Sequence, residues 1–151
     1  MITGKNNEFL NIPIETLFQD SKGYLWIGTE AKGVFQYNLE TGEATKIIAQ
    51  QSLSDPDFLQ SNYQIIEDKQ GDIWLVLAEA IIKYSYQTDS TSTIFQLNSQ
   101  SIETNEIIRW VQLFESTLFI ASSNALIGLD IKTGKSTIID YLQTDLPNSD
   151  K

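Results

Sequence analysis

The stretch "GYLWIGTEAKGVFQY", residues 23–37, decides how this chain is read. A tryptophan, a Gly-Thr pair and a closing tyrosine lie between glycines, and the apolar runs on either side of "TEAK" are too short for a stable helix but suit strands. The pattern returns. "DIWLVL" (72–77) echoes "YLWIGT" (24–29), and "TLFIAS" (117–122) does so more faintly, giving anchors at Trp26, Trp74 and Phe119.

These anchors are 48 and 45 residues apart, a period that fits four-stranded propeller blades and exceeds that of ankyrin or leucine-rich repeats. Other columns keep step. Asp20 and Asp68 each stand six residues before their tryptophan, and Gly23 and Gly71 three before it. Tyr37, Tyr84 and Leu129 follow at offsets of 11, 10 and 10, and five residues beyond them come Gly42, Asp89 and Gly134. The third copy has neither the Asp nor the Gly of the first turn, which leaves its opening register open by one residue.

Each copy divides into four short runs separated by turn residues; in the first these are roughly 13–19, 24–29, 33–38 and 43–48. "DSKG" supplies an Asp able to bond its own turn backbone and a glycine able to take positive φ. The expected fold is all-β: a partial β-propeller of three four-stranded antiparallel blades, about 12 strands, forming part of a larger propeller. Blade 1 is expected at about 12–48, blade 2 at about 62–97 and blade 3 at about 106–140, with 141–151 a connector or tail of the single segment 1–151.

A blade is apolar on both faces because neighbours sandwich it, so Trp26, Trp74 and Phe119 are read as wedges in the interblade core, each contributing about 2–3 kcal/mol through buried area. Gly28, Ala121 and Ser122 beside them allow close backbone approach. Stacking of the tryptophans on a sugar or base is the competing reading. Asp20 and Asp68 occupy the same turn of successive blades, which assigns them to turn capping rather than to a catalytic pair. "DPD" (55–57) lacks the alternating ligands and glycine of a calcium loop.

The 151-residue chain carries 20 acidic and 10 basic residues, a net charge of -10 that repels nucleic-acid phosphate and anionic lipid. It contains neither cysteine nor histidine, which removes thiolate chemistry, imidazole bases, disulfides and the usual zinc ligands. No metal, cofactor or catalytic residue is expected. The opening "MITGKNNEFLNIP" has no secretory-signal pattern, and no apolar run approaches membrane-spanning length.

"LFQDSKGYLWIGTEAKGVFQYNLETG" and "IIEDKQGDIWLVL" resemble the two-component regulator propeller repeat. The first copy matches through Asp20, Gly23, Leu25, Trp26, Ile27, Gly28, Thr29, Gly33 and Tyr37. The second keeps Asp68, Gly71, Ile73, Trp74 and Tyr84 but has Val76 and Leu77 where Gly-Thr is expected, and the third keeps only the apolar skeleton. The resemblance implies a non-enzymatic, periplasmic or otherwise extracytoplasmic ligand-sensing propeller, from a receptor with a histidine kinase, hybrid kinase or diguanylate cyclase output. That signature marks blades rather than ligand contacts, so it assigns no binding residue.

In such a propeller the interblade connectors and the loops between second and third strands share one face. Here the connectors are long, "AQQSLSDPDFLQS" (49–61) and "NSQSIETNE" (98–106), and the other loops are "TEAKG", "LAEA" and "SSNA". Long loops on a rigid scaffold are where recognition concentrates. The face is acidic through Asp55, Asp57, Glu79, Glu103 and Glu106, with Glu30 beside Lys32, and so favours a neutral or cationic ligand. Tyr63 and Trp110 are the candidate aromatic contacts for a carbohydrate or other small molecule.

Three blades fall short of the four to eight of a closed propeller, so the partners expected are remaining blades or further copies of the chain. Two competing functions are a protein-binding scaffold, since "LDIKTGK" (129–135) resembles the turns of outer-membrane assembly propellers, and a propeller lyase of the streptogramin type. The second lacks a histidine for acid–base work and shows no clustered alternative.

Overall fold

The computed structural model describes residues 12–30, 32–48, 64–97 and 107–141. These form twelve strands in three four-stranded antiparallel meanders, with no helix among the described residues. Blade 1 consists of β1 (Ile14–Gln19), β2 (Tyr24–Thr29), β3 (Gly33–Asn38) and β4 (Ala44–Ile48). Blade 2 consists of β5 (Gln64–Glu67), β6 (Ile73–Val76), β7 (Ala80–Ser85) and β8 (Ser90–Gln96). Blade 3 consists of β9 (Ile108–Phe114), β10 (Thr117–Ser122), β11 (Ala125–Asp130) and β12 (Ser136–Tyr141). The strands of blade 1 lie within a residue of the runs read from the sequence.

The ladders resolve the register of the third copy. Leu25 pairs with Tyr37, Ile73 with Tyr84, and Leu118 with Leu129, so Trp26, Trp74 and Phe119 hold one ladder position in their blades. Phe114 pairs with Thr117, which stands where Tyr24 does in blade 1. The first turn of blade 3 has therefore lost a residue, and Phe114 sits where the other blades have their Asp. Glu115, with φ 53°, takes the left-handed conformation in this shorter turn, whereas Gly23 (φ +88°) and Gly71 (φ +81°) provide it without steric cost in the longer ones.

The chain divides into two compact units, residues 1–97 and 98–151. In the first, blades 1 and 2 pack face to face. Trp26 and Val34 of blade 1 join Ile65, Ile73, Leu75, Leu77, Ile82 and Tyr84 of blade 2 in one buried cluster, edged by Phe18, Tyr24, Ile47 and Tyr86. Every second residue of a strand points to the same face, so the opposite side of blade 1 carries a separate cluster of Ile27, Phe35 and Tyr37 with Leu25 and Ala44. In the second unit Val111, Leu118 and Ile120 are buried on one face of blade 3, while Trp110, Gln112 and Phe114 are exposed on the other.

Candidate functional site

The repeat residues assemble into two kinds of structure, one at each end of a blade. At the β1–β2 turn, Asp20 Oδ1 accepts from the backbone N–H of Lys22 (3.0 Å) and Tyr24 (2.9 Å), which caps the turn. Its Oδ2 accepts from the indole N–H of Trp26 at 2.7 Å and from the hydroxyl of Tyr86, which reaches across from blade 2. Blade 2 repeats the arrangement. Asp68 Oδ1 accepts from the N–H of Gln70 and Asp72, and Oδ2 from Trp74 Nε1 at 2.9 Å.

The carboxylate six residues before each tryptophan is therefore both turn cap and indole acceptor. A carboxylate has about four acceptor sites, and the donors around Asp20 fill them. Such a group has no lone pair left for a substrate proton. Phe119 has no N–H to offer and Phe114 no carboxylate to receive one, so the two columns change together in blade 3, and Phe119 is only half-buried whereas Trp26 and Trp74 are buried. The sequence signal for this bond was the joint presence of Asp and Trp in two copies and their joint loss in the third.

The second acceptor position on the two aspartates is filled differently. Around Asp20, Tyr86 donates while Gln36 Nε2 donates to the Tyr86 oxygen at 2.8 Å, and Lys22 Nζ stands 4.2 Å over the Tyr86 ring. Gln36 is opposite Trp26; the residue opposite Trp74 is Lys83. Lys83 Nζ lies 3.6 Å from Asp68 Oδ2, 2.8 Å from Asp72 Oδ2 and 5.3 Å over the Trp74 ring. Burial raises the Asp72 carboxyl, but the hydrogen bond and charge of Lys83 outweigh it and hold the group below its usual 3.8. Ser21 adds a further link between blades 1 and 2, giving its N–H (2.9 Å) and its hydroxyl to the Glu67 carboxylate.

At the β3–β4 turns, Asn38 Oδ1 accepts from the N–H of Glu40 and Thr41, and Asp130 Oδ1 from those of Lys132 and Thr133. The backbone bonds hold Asp130 below the ordinary carboxylate value. Tyr84 donates to Asp89 Oδ1 at 2.7 Å. Burial first, and the neighbouring carboxylate second, push the phenols of Tyr84 and Tyr86 well above their usual range.

At the other end, the buried Thr29 hydroxyl donates to the Gly33 carbonyl (2.8 Å) and accepts from the Lys32 N–H (3.1 Å), closing the loop between β2 and β3. Ser122 does the same in blade 3, donating to the Ala125 carbonyl and accepting from the Ala125 N–H at 2.9 Å. Blade 2 has Leu77 there and closes with a backbone bond to Ala80. This gives the Gly-Thr pair its purpose: Gly28 is buried between Thr16 and Val34 in the ladder, and Thr29 ties the loop. Tyr37 is buried opposite Leu25.

Of the candidate ligand contacts, Trp110 is 60% exposed on β9. Tyr63, Asp55, Asp57, Glu103, Glu106 and the whole of both long connectors lie outside the described residues. A shallow depression of about 140 Å³ lies at the turn end of blade 1, lined by Lys22, Gly23, Tyr24, Asn38 and Glu40. Among the described residues no three acidic side chains gather as a metal site requires.

The class defined by this geometry is the antiparallel four-stranded propeller blade with an aspartate-bound tryptophan. Residues 8–31 match the family model described as two component regulator propeller. The fold is similar to that of the extracellular domain assigned to hybrid two component system BT4673 of B. thetaiotaomicron, with TM-score 0.65 and 19% identity over 85% of this chain. The corresponding domain of BT3049 superposes with TM-score 0.59 and 18% identity over 89% of the chain. This chain spans 16% and 17% of those two proteins. A Trichoderma reesei member of Carbohydrate-Active Enzymes Family AA12 shares the fold at TM-score 0.54 and 15% identity, over 80% of this chain and 36% of its own. Among curated proteins no sequence match reaches significance.

Proposed function

We propose that this chain is a non-enzymatic sensor module, the extracytoplasmic ligand-binding part of a two-component or cyclic-dinucleotide signalling receptor. The observation that carries the reading is the repeat match at residues 8–31 combined with a fold similar to extracellular domains of hybrid two-component systems. The chemistry of the blades agrees. The chain has no histidine or cysteine, and the Asp20 and Asp68 carboxylates, committed to turns and indoles, serve the scaffold. No helix among the described residues is long and apolar enough to cross a membrane.

A net charge of -10 favours neutral or cationic ligands over anionic ones, and the exposed Trp110 offers an aromatic surface of the kind that stacks on sugar rings. The test is thermal denaturation with a panel of neutral and charged oligosaccharides. A neutral oligosaccharide that raises the midpoint in proportion to the logarithm of its concentration supports the sensor. If no sugar shifts the midpoint while a protein partner is retained on immobilised chain, the module is a protein-binding scaffold instead.

A further inference from the structure

Two unlike charges line one hollow of blade 1 without neutralising each other. The depression of about 140 Å³ at the turn end is walled by Lys22, Gly23 and Tyr24 on one side of the sheet's turns and by Asn38 and Glu40 of the β3–β4 turn. Among the described residues no ion pair joins Lys22 to Glu40, and neither is paired with another charged group.

The Lys22 amine is held in place. Its Nζ stands 4.2 Å over the Tyr86 ring, and a Cβ on Gly71 would come within 2.8 Å of it, so the absence of a side chain at Gly71 makes room for the cation. Asn38 is fixed by the two turn N–H groups that its Oδ1 accepts, which leaves its Nδ2 donors unused among the described residues. The fold does not require this set. Asp20, Gly23 and Trp26 recur in blade 2 as Asp68, Gly71 and Trp74, but Gln70 stands there in the column of Lys22 and Gln87 in that of Glu40. Blade 3 has Lys132 in the Glu40 column. The pair of opposite charges belongs to blade 1.

We propose that this hollow binds a free α-amino acid. The ligand carboxylate is received by Lys22 Nζ and the Asn38 amide, its ammonium by the Glu40 carboxylate, and the half-buried Tyr24 supplies an aromatic wall for the carbon between them. A zwitterion has no net charge, so the field of a chain at -10 does not repel it. The hollow is smaller than the roughly 300–1,000 Å³ of sites for drug-sized ligands, which suits a molecule of amino-acid size. As a signal such a ligand rests on the sensor reading; as a binding event it does not, and it makes no use of Trp110 on blade 3.

Isothermal titration calorimetry of the chain with L-serine, L-glutamine and L-leucine tests the site. At least one is expected to bind, and its α-amide and N-acetyl derivatives, each short of one charge, to bind roughly tenfold more weakly. Lys22→Met is expected to remove the preference for the acid over its amide and to keep that for the free amine over the N-acetyl form; Glu40→Gln does the reverse. Both side chains are exposed. Should either variant lose its strands by far-ultraviolet circular dichroism, the derivatives on the unaltered chain still decide. Failure of all three amino acids to bind overturns the proposal, and so does binding indifferent to either ligand charge or keeping both preferences in both variants. An oligosaccharide that raises the denaturation midpoint while no amino acid binds sinks this site and leaves the sensor reading standing.

Discussion

The residue on which most depends is Asp20. Replacing it with alanine leaves two turn amides, the Trp26 indole and the Tyr86 hydroxyl without their acceptor, and is expected to cost about 3 kcal/mol or more. Asp20→Asn keeps Oδ1 as an acceptor but turns an amide toward two donors, and is expected to cost roughly half as much. Urea denaturation of both variants checks the order. The pH dependence follows from the shifted groups. Tyr84 and Tyr86 have folded values raised above the ordinary 10.0, so their contribution is complete below that pH and is lost as pH climbs beyond it. Ultraviolet titration is therefore expected to show these two phenols ionising only as the chain unfolds in alkali, and Tyr86→Phe removes one of them. Asp72 runs the other way: its folded value lies below 3.8, so its contribution is present above that pH and disappears as acid takes the group through its folded value. Lys83→Met should abolish this acid-dependent part, measured as the difference in denaturation midpoint between neutral and acid pH. The sequence marked Asp20 and Trp26 as columns; that one carboxylate joins them was hidden, because a bond between side chains six residues apart exists only once the turn has brought them together.

At the scale of the element, a strand here is defined by its two ends. Thr29 closes the β2–β3 loop of blade 1 through its hydroxyl, so Thr29→Val, which keeps the shape and removes the donor, is expected to cost about 1–2 kcal/mol, and Thr29→Ser much less. The inner strands β2, β3, β6, β7, β10 and β11 have ladders on both sides, whereas β4, β8 and β12 are last in their sheets. Hydrogen exchange should be slowest in the former and fastest in the latter. The strands themselves were legible from runs of alternating apolar residues between Gly, Asp and Asn, since strand length and turn chemistry are local properties. The opening of blade 3 was not. Its turn is one residue shorter and has no glycine, with Glu115 taking the positive φ, and no local preference announces a non-glycine residue there.

For the whole molecule, two compact units and one acidic charge excess set the behaviour. Unit 1 buries both of its tryptophans, Trp26 and Trp74, while unit 2 holds the exposed Trp110. Fluorescence should therefore report the unfolding of blades 1 and 2 almost alone, and circular dichroism that of all three sheets. The net charge of -10 predicts no retention on a polyanion matrix at physiological salt, a direct check on the exclusion of nucleic acid.

By itself the sequence determined the repeat, the strand count and the residues that anchor two of the three blades, because a period of 45 to 48 residues and the chemistry of tight turns are written in residue order. Only the tertiary structure decided that Tyr86 of blade 2 completes the shell of Asp20, that Lys83 does so for Asp68 from within its own blade, and that Phe114 stands in the aspartate column. Neither period nor propensity relates those residues; strand register within each sheet places Lys83 and Phe114, and the packing of one sheet on another places Tyr86.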